Sequence, residues 1–81
     1  MSNNNDSEND PHYSRFVLTP KQKEVLGFLA TGLQNKEIAK AMGLSVSTVK
    51  LHVSGILLRL DVHTRTAALV KAQKLGLIDK E

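Results

Sequence analysis

The sequence contains no cysteine and no long uninterrupted apolar run. Without cysteine there is neither a disulfide framework nor a thiolate metal site. No apolar stretch approaches the roughly 18 residues needed to span a membrane, and the polar N-terminal segment is unlike a secretory signal peptide. The 81 residues therefore predict one small domain in a reducing, cytoplasmic setting, without a membrane partner.

Charge is unevenly distributed along the chain. The polar first segment, 1–15, holds three of the acids, and its composition is typical of a disordered tail or interdomain linker. From Phe16 onward ten bases are set against five acids, so the predicted domain at 16–81 has a formal charge of about +5. This excess of positive charge indicates a polyanionic partner.

Four segments space their apolar residues as helices do, and none alternates as a strand would. Capping residues predict where each helix begins: Thr19 with Pro20 and Gln22, then Asn35, Ser45 and Thr64. Residues that favour left-handed backbone predict where each helix ends: Gly32, Gly43, Asp61 and Gly76. The third helix should cover about 46–60 and the fourth about 65–75. The expected fold class is therefore all-α, with four short helices.

The predicted core follows from the helical spacing. It comprises Val25, Leu26 and Leu29; Ile38, Ala39 and Met42; Val49, Val53, Ile56 and Leu60; and Ala68, Leu69, Ala72 and Leu75. Only residues 43–45 join the second and third helices, so the two must cross steeply, as in a helix-turn-helix pair. Small Ala39, flexible Gly43 and apolar Val49 suit that crossing. An ordinary αα-hairpin is the alternative on this pattern alone.

The whole stretch resembles the LuxR-type helix-turn-helix domain of bacterial transcription regulators, also called GerE-, FixJ- or NarL-like. The motifs that carry the resemblance are LTPKQKEVL at 18–26, GLQNKEIA at 32–39, STVKLH at 47–52, RTAALV at 65–70 and LGLI at 75–78. The resemblance covers about residues 18–78. It implies a four-helix domain that binds double-stranded DNA sequence-specifically in transcription regulation. The chain would be either the C-terminal effector domain of a response regulator or a free-standing small regulator.

In that family the third helix enters the major groove, and by resemblance Lys50, Leu51 and Ser54 read the bases. Their chemistry suits the role, because lysine donates to guanine, serine donates or accepts, and leucine packs on a thymine methyl group. Phosphate contacts are expected from bases and from polar residues at helix starts. The candidates are Asn35, Lys36, Ser45, Ser47, Thr48, Arg59, Arg65 and Lys21. Each has an alternative interpretation as an ordinary surface residue.

The family pairs two domains through the fourth helix. Outside its predicted core positions lies a second stripe, formed by Thr66, Val70 and Gln73 with Lys74 at the edge. We expect a homodimer that is weak without DNA, because the patch is small and its lysines repel their counterparts. The half-sites are expected in inverted or direct orientation. RNA polymerase is a further candidate partner.

Three positions depart from the family pattern. Gly55 stands where the family often has Asn, and we expect a tolerated helix glycine, with close approach to the DNA backbone as the alternative. Leu58 replaces a frequent Lys or Arg, so either a phosphate contact is missing or a partner surface is present. Ala67 replaces a frequent Glu. Two acids at family positions, Glu24 and Glu37, are interpreted as intramolecular partners of bases.

Other functions have little support in the sequence. The three histidines, His12, His52 and His63, are not spaced as a metal site, and no cofactor motif or catalytic set is present. An enzyme is therefore not expected. Two rival interpretations remain. A sigma-factor region 4 domain is disfavoured by the segments at 65–70 and 75–78. A protein-interaction module that has lost DNA binding is favoured by Leu51 and Leu58.

Overall fold

The computed structural model describes residues 17–78, and within this range the chain forms four α-helices and no strand. In chain order the helices are α1 Pro20–Ala30, α2 Asn35–Met42, α3 Val46–Leu60 and α4 Arg65–Lys74. The predicted all-α class with four helices is confirmed. The tail predicted at 1–15 and residues 79–81 lie outside the described range.

Side-chain caps define three of the helix starts as predicted. The Thr19 hydroxyl accepts the backbone N–H of Gln22 at 3.0 Å, while the side-chain oxygen of Gln22 accepts the backbone N–H of Thr19 at 2.9 Å. This reciprocal capping box satisfies two backbone donors that helix geometry leaves unpaired. Ser45 and Thr64 cap α3 and α4 in the simpler way, each accepting one N–H of the first turn.

The start of α2 differs from the prediction by one residue. Asn35 is the first helical residue, and the N-cap is Gln34, which has extended backbone. The Glu37 carboxylate accepts the Gln34 N–H at 2.8 Å. The cap predicted at Asn35 is therefore wrong, because a side chain from within the first turn satisfies the preceding residue. The predicted pairing of Glu37 with a base stays a prediction, since a carboxylate that accepts one backbone N–H retains further acceptor sites.

All four helices end through the same backbone device. A left-handed residue reverses the chain at Gly32, Gly43, Asp61 and Gly76. The residue after each one donates its N–H to a carbonyl five positions earlier: Leu33 to Phe28, Leu44 to Ala39, Val62 to Leu57 and Leu77 to Ala72. This is the Schellman motif, in which the apolar residue after the turn packs back on the helix. All four of these apolar residues do pack against the core.

The core lies around α3, which packs against each of the other three helices. Most predicted core positions are fully buried, whereas Met42, Val53 and Leu69 are half-buried at the core edge. Leu75 is an error in the prediction, because its side chain is 41% exposed. It follows the last residue of α4, where the helical periodicity no longer applies. Leu77 and Ile78, beyond the turn, pack against the core instead.

Candidate nucleic-acid interface

Helices α2 and α3 form a steep pair around the short link at 43–45. Their axes bend by 110°, which lies within the range typical of helix-turn-helix motifs. Gly43 takes a φ of 69° at the bend. Ala39 and Val49 are buried on the two sides of the angle, as their sizes predict. An αα-hairpin with antiparallel helices would not show this crossing.

The outer face of α3 is open to solvent over its whole length. Leu51 is 72% exposed and Leu58 is 83% exposed, although both are large apolar side chains. Ser47, Lys50 and Ser54 are also exposed on this side of the helix. The opposite side of α3 carries the buried Val49, Ile56 and Leu60. The three predicted base-reading residues are therefore together on one accessible helix surface.

The predicted phosphate contacts at the starts of α2 and α3 differ in how free their polar atoms are. Lys36 and Ser47 are exposed. Ser45 is engaged in capping, because its hydroxyl accepts the Thr48 N–H and donates to the Thr48 hydroxyl at 2.9 Å. The Asn35 amide oxygen is buried without a hydrogen-bond partner among the described residues. A contact from Asn35 to phosphate therefore needs its amide nitrogen or backbone N–H.

The remaining basic candidates have distinct surroundings. The Arg65 guanidinium donates to the Leu33 carbonyl, which joins the start of α4 to the turn between α1 and α2. No local sequence pattern predicts this contact, because it joins residues 32 positions apart. The Lys21 ammonium lies 3.7 Å from a Glu24 carboxylate oxygen, so the predicted pairing of Glu24 with a base is confirmed. That pair is exposed and contributes little stability.

A cleft separates the start of α1 from the second half of α3. It has a volume of about 400 Å³ and is lined by Gln22, Gly55, Leu58 and Arg59. A Cβ atom at position 55 would lie 2.7 Å from the Gln22 amide nitrogen, closer than carbon and nitrogen can pack. The absence of a side chain at Gly55 leaves room for the Gln22 amide, which is the flexible end of its side chain and would shift at small cost to admit a Cβ. No sequence spacing signals this contact, since the two residues are on different helices.

The outer stripe of α4 is exposed as its spacing predicts. Thr66, Gln73 and Lys74 are accessible, and Val70 is 47% exposed. Ala68 and Ala72 occupy the buried side of the same helix. The stripe predicted for dimer contacts is thus available on the surface of the domain.

Residues 17–78 contain no group of three or more His, Cys, Asp or Glu placed to hold a metal ion. No single helix in that range is long and apolar enough to cross a membrane. Taken together, α2 and α3 are long and apolar enough by length and composition only. This is the pair whose axes are bent by 110°.

Comparisons with known proteins identify relatives of this chain. The family model for bacterial regulatory proteins of the luxR family matches residues 16–72. The transcriptional regulatory protein YhcZ of Bacillus subtilis is 44% identical over 77 residues, which are 95% of this chain and 35% of YhcZ. The response regulator protein VraR of Staphylococcus aureus is 44% identical over 62 residues, which are 76% of this chain and 30% of VraR.

A solved structure supports the same assignment at the level of the fold. The transcription factor GerE matches with a TM-score of 0.70 and 28% identity, over 74% of this chain and 90% of that one. This chain spans about a third of the length of the curated relatives it matches. It belongs to the luxR family of bacterial regulatory proteins, and its four helices are a LuxR-type helix-turn-helix DNA-binding domain rather than an enzyme.

Proposed function

We propose that this chain is the DNA-binding effector domain of a response regulator in a two-component system. The observation that carries the proposal is the exposed outer face of α3, held at 110° to α2 and presenting Lys50, Leu51 and Ser54. The relative VraR is a response regulator, and the chain matches under a third of its length. A free-standing small regulator is the second candidate. Either protein would act in the cytoplasm, where bacterial DNA is.

Sequence reading is assigned to α3. The 15-residue helix is about 22 Å long, and its diameter with side chains, about 10–12 Å, fits the major groove, which is about 12 Å wide. Lys50 donates to guanine O6 or N7, and Ser54 donates to or accepts from a base edge. Leu51 packs on a thymine methyl group, which explains why an apolar side chain remains 72% exposed in the free domain.

Phosphate contacts are assigned to the rims of the same surface. They fix the register of the domain on DNA and supply much of its affinity. The residues proposed for them are Lys21, Asn35, Lys36, Ser45, Ser47, Thr48, Arg59 and Arg65. Among these, the exposed Lys36 at the start of α2 is the clearest candidate. There the lysine charge adds to the unpaired N–H groups of the first helical turn.

Pairing of two domains is assigned to the outer stripe of α4, with Thr66, Val70, Gln73 and Lys74 in the contact. A two-fold contact is self-complementary, so Val70 meets its counterpart. Only one apolar side chain of moderate size is available there, and lysine charges oppose the approach. We therefore propose a monomer or weak dimer in free solution and a dimer on DNA, with RNA polymerase as a further partner.

The test is a selection of bound sequences from random duplex DNA, followed by titrations at several salt concentrations. A shared sequence motif should emerge, and log K should fall with log salt by about 0.9 per phosphate neutralised. Lys36→Ala should weaken binding to all duplexes alike. Lys40→Ala, one turn farther from the start of α2, is the matched control and should have a smaller effect. A domain that has lost DNA binding would show no enriched motif and no salt-dependent binding.

A further inference from the structure

The cleft between α1 and α3 carries an inference beyond the contacts assigned above. We propose that it holds one phosphate of the DNA backbone, bound by the Gln22 side-chain amide together with the Arg59 guanidinium. This site deepens the proposed function and rests on it. It gives Gln22 a role in DNA binding besides capping α1, and it gives Gly55 a functional reason.

The position of the cleft suits a phosphate. Gly55 is four residues after Leu51 and three before Leu58, so it adjoins the exposed face of α3 on one flank. A helix with its side chains is about 10–12 Å across, and the major groove is about 12 Å wide. The flanks of a helix in the groove therefore meet the sugar–phosphate backbones. The Gly55 flank of α3, with α1 beside it, is one of these rims.

The polar groups of the cleft are donors. The side-chain oxygen of Gln22, Oε1, already accepts the Thr19 N–H at 2.9 Å. The side-chain nitrogen, Nε2, is therefore the end of the amide that faces Gly55. Arg59 adds five N–H donors and a permanent positive charge. None of the described residues lining the cleft has a carboxylate. Donors with one positive charge fit a phosphodiester, which offers acceptors and one negative charge, and they do not fit a cation.

The other two lining residues shape the site. A Cβ at position 55 would press on the Gln22 amide nitrogen at 2.7 Å and would occupy the space beside it. Leu58, which is 83% exposed, forms an apolar wall next to the donors. A deoxyribose adjoining the bound phosphate would cover that wall. The exposure of Leu58 is then explained without a protein partner.

The test uses Gln22→Glu, which keeps the cap and removes the donor. Glutamate is a standard residue at this position of a capping box, so α1 should persist, and an unchanged melting temperature would verify it. The control is Ala30→Glu at the exposed far end of α1, which adds the same single negative charge about 12 Å along the helix from Gln22. Affinities are measured on a duplex with a single half-site, where contacts between two domains play no part.

We expect Gln22→Glu to weaken binding at least about tenfold, because it replaces a charge-assisted hydrogen bond with repulsion. The control should weaken it less than about threefold, since exposed charges beyond about 10 Å are screened. Duplexes with one neutral methylphosphonate at each position in turn would locate the contact. The unaltered chain should lose affinity at one phosphate on the rim, and both Gln22→Glu and Arg59→Gln should lose that sensitivity.

Equal effects of Gln22→Glu and Ala30→Glu would overturn the site while leaving the proposed function intact. The site would also be overturned if either Gln22→Glu or Arg59→Gln kept the sensitivity of the unaltered chain to the methylphosphonate at that phosphate. The same holds if the two variants lost sensitivity at different phosphates. Failure of the unaltered chain to bind any duplex would instead refute the proposed function, and the site with it.

Discussion

Lys50 is the residue on which the proposed base reading most depends. It is exposed on α3 beside Leu51 and Ser54, where a donor can reach a guanine edge. We predict that Lys50→Ala costs on the order of 1–3 kcal/mol at the cognate site and relaxes one base position. Repeating the selection from random duplexes with the variant measures both effects. An unchanged base preference would remove Lys50 from the reading set. Lys36→Ala, at a proposed phosphate contact, is the contrasting control.

A second prediction for a single residue concerns Gly55 and the stability of the domain. Replacing a helix glycine with alanine stabilises by roughly 0.5–1 kcal/mol where space is free. Gly27 in α1 meets this condition, because a Cβ there would have no neighbour within 4 Å. At Gly55 the new Cβ must displace the Gln22 amide and disturb its bond to Thr19. We predict that Gly55→Ala stabilises less than Gly27→Ala.

Urea denaturation of the two glycine variants provides the comparison, with the midpoint shift read at constant slope. The Gln22 amide is the flexible end of its side chain, so the loss of stability in Gly55→Ala is smaller than a clash with backbone would cause. Equal stabilisation in both variants would mean that the Gln22 amide moves away without loss. In that case the close approach seen between α1 and α3 contributes nothing to the stability of the domain.

At the scale of elements, the turn between α2 and α3 depends on one backbone conformation. Gly43 has a φ of 69°, and a Cβ there would meet no atom within 4 Å. The cost of a side chain is therefore conformational rather than steric packing against neighbours. We predict that Gly43→Ala lowers the free energy of unfolding by about 1–2 kcal/mol. Gly43→Asn should cost less, because asparagine tolerates the left-handed region better.

Denaturation of both Gly43 variants would measure this difference, and the ranking is the informative result. If alanine and asparagine cost the same, backbone conformation would not be the source of the penalty. DNA binding provides a second measurement, because the 110° angle between α2 and α3 sets the orientation of α3. A variant that folds but binds more weakly would show that the turn also orients α3.

At the scale of the whole molecule, the proposed pairing of two domains depends on the outer stripe of α4. Val70 is 47% exposed there, and Val70→Asp would place two carboxylates at a self-complementary contact. The buried side of α4 is untouched by this change. We predict that the variant loses cooperative filling of two half-sites and keeps its affinity for one. Sedimentation and gel-shift titrations on duplexes with one and two half-sites would test this. Full cooperativity in the variant would place the dimer contact elsewhere.

Local interactions explain why so much of the fold was predictable. Thr19, Ser45 and Thr64 cap their helices through atoms three residues away, and a left-handed residue ends each helix within one turn. Interactions of such short range can be predicted from the sequence. The helical spacing of apolar residues likewise predicted most of the core. The family followed from motifs in one order, and the comparisons confirmed it. The roles assigned to individual site residues stay predictions.

Tertiary structure decided what these local rules do not contain. Exposure of Leu75 follows from where α4 ends against the core. The bond from Arg65 to the Leu33 carbonyl and the cleft between Gln22 and Gly55 join residues over 30 positions apart. Contacts of that kind form only when helices pack, so their physical cause lies in the packed molecule and not in any stretch of its sequence.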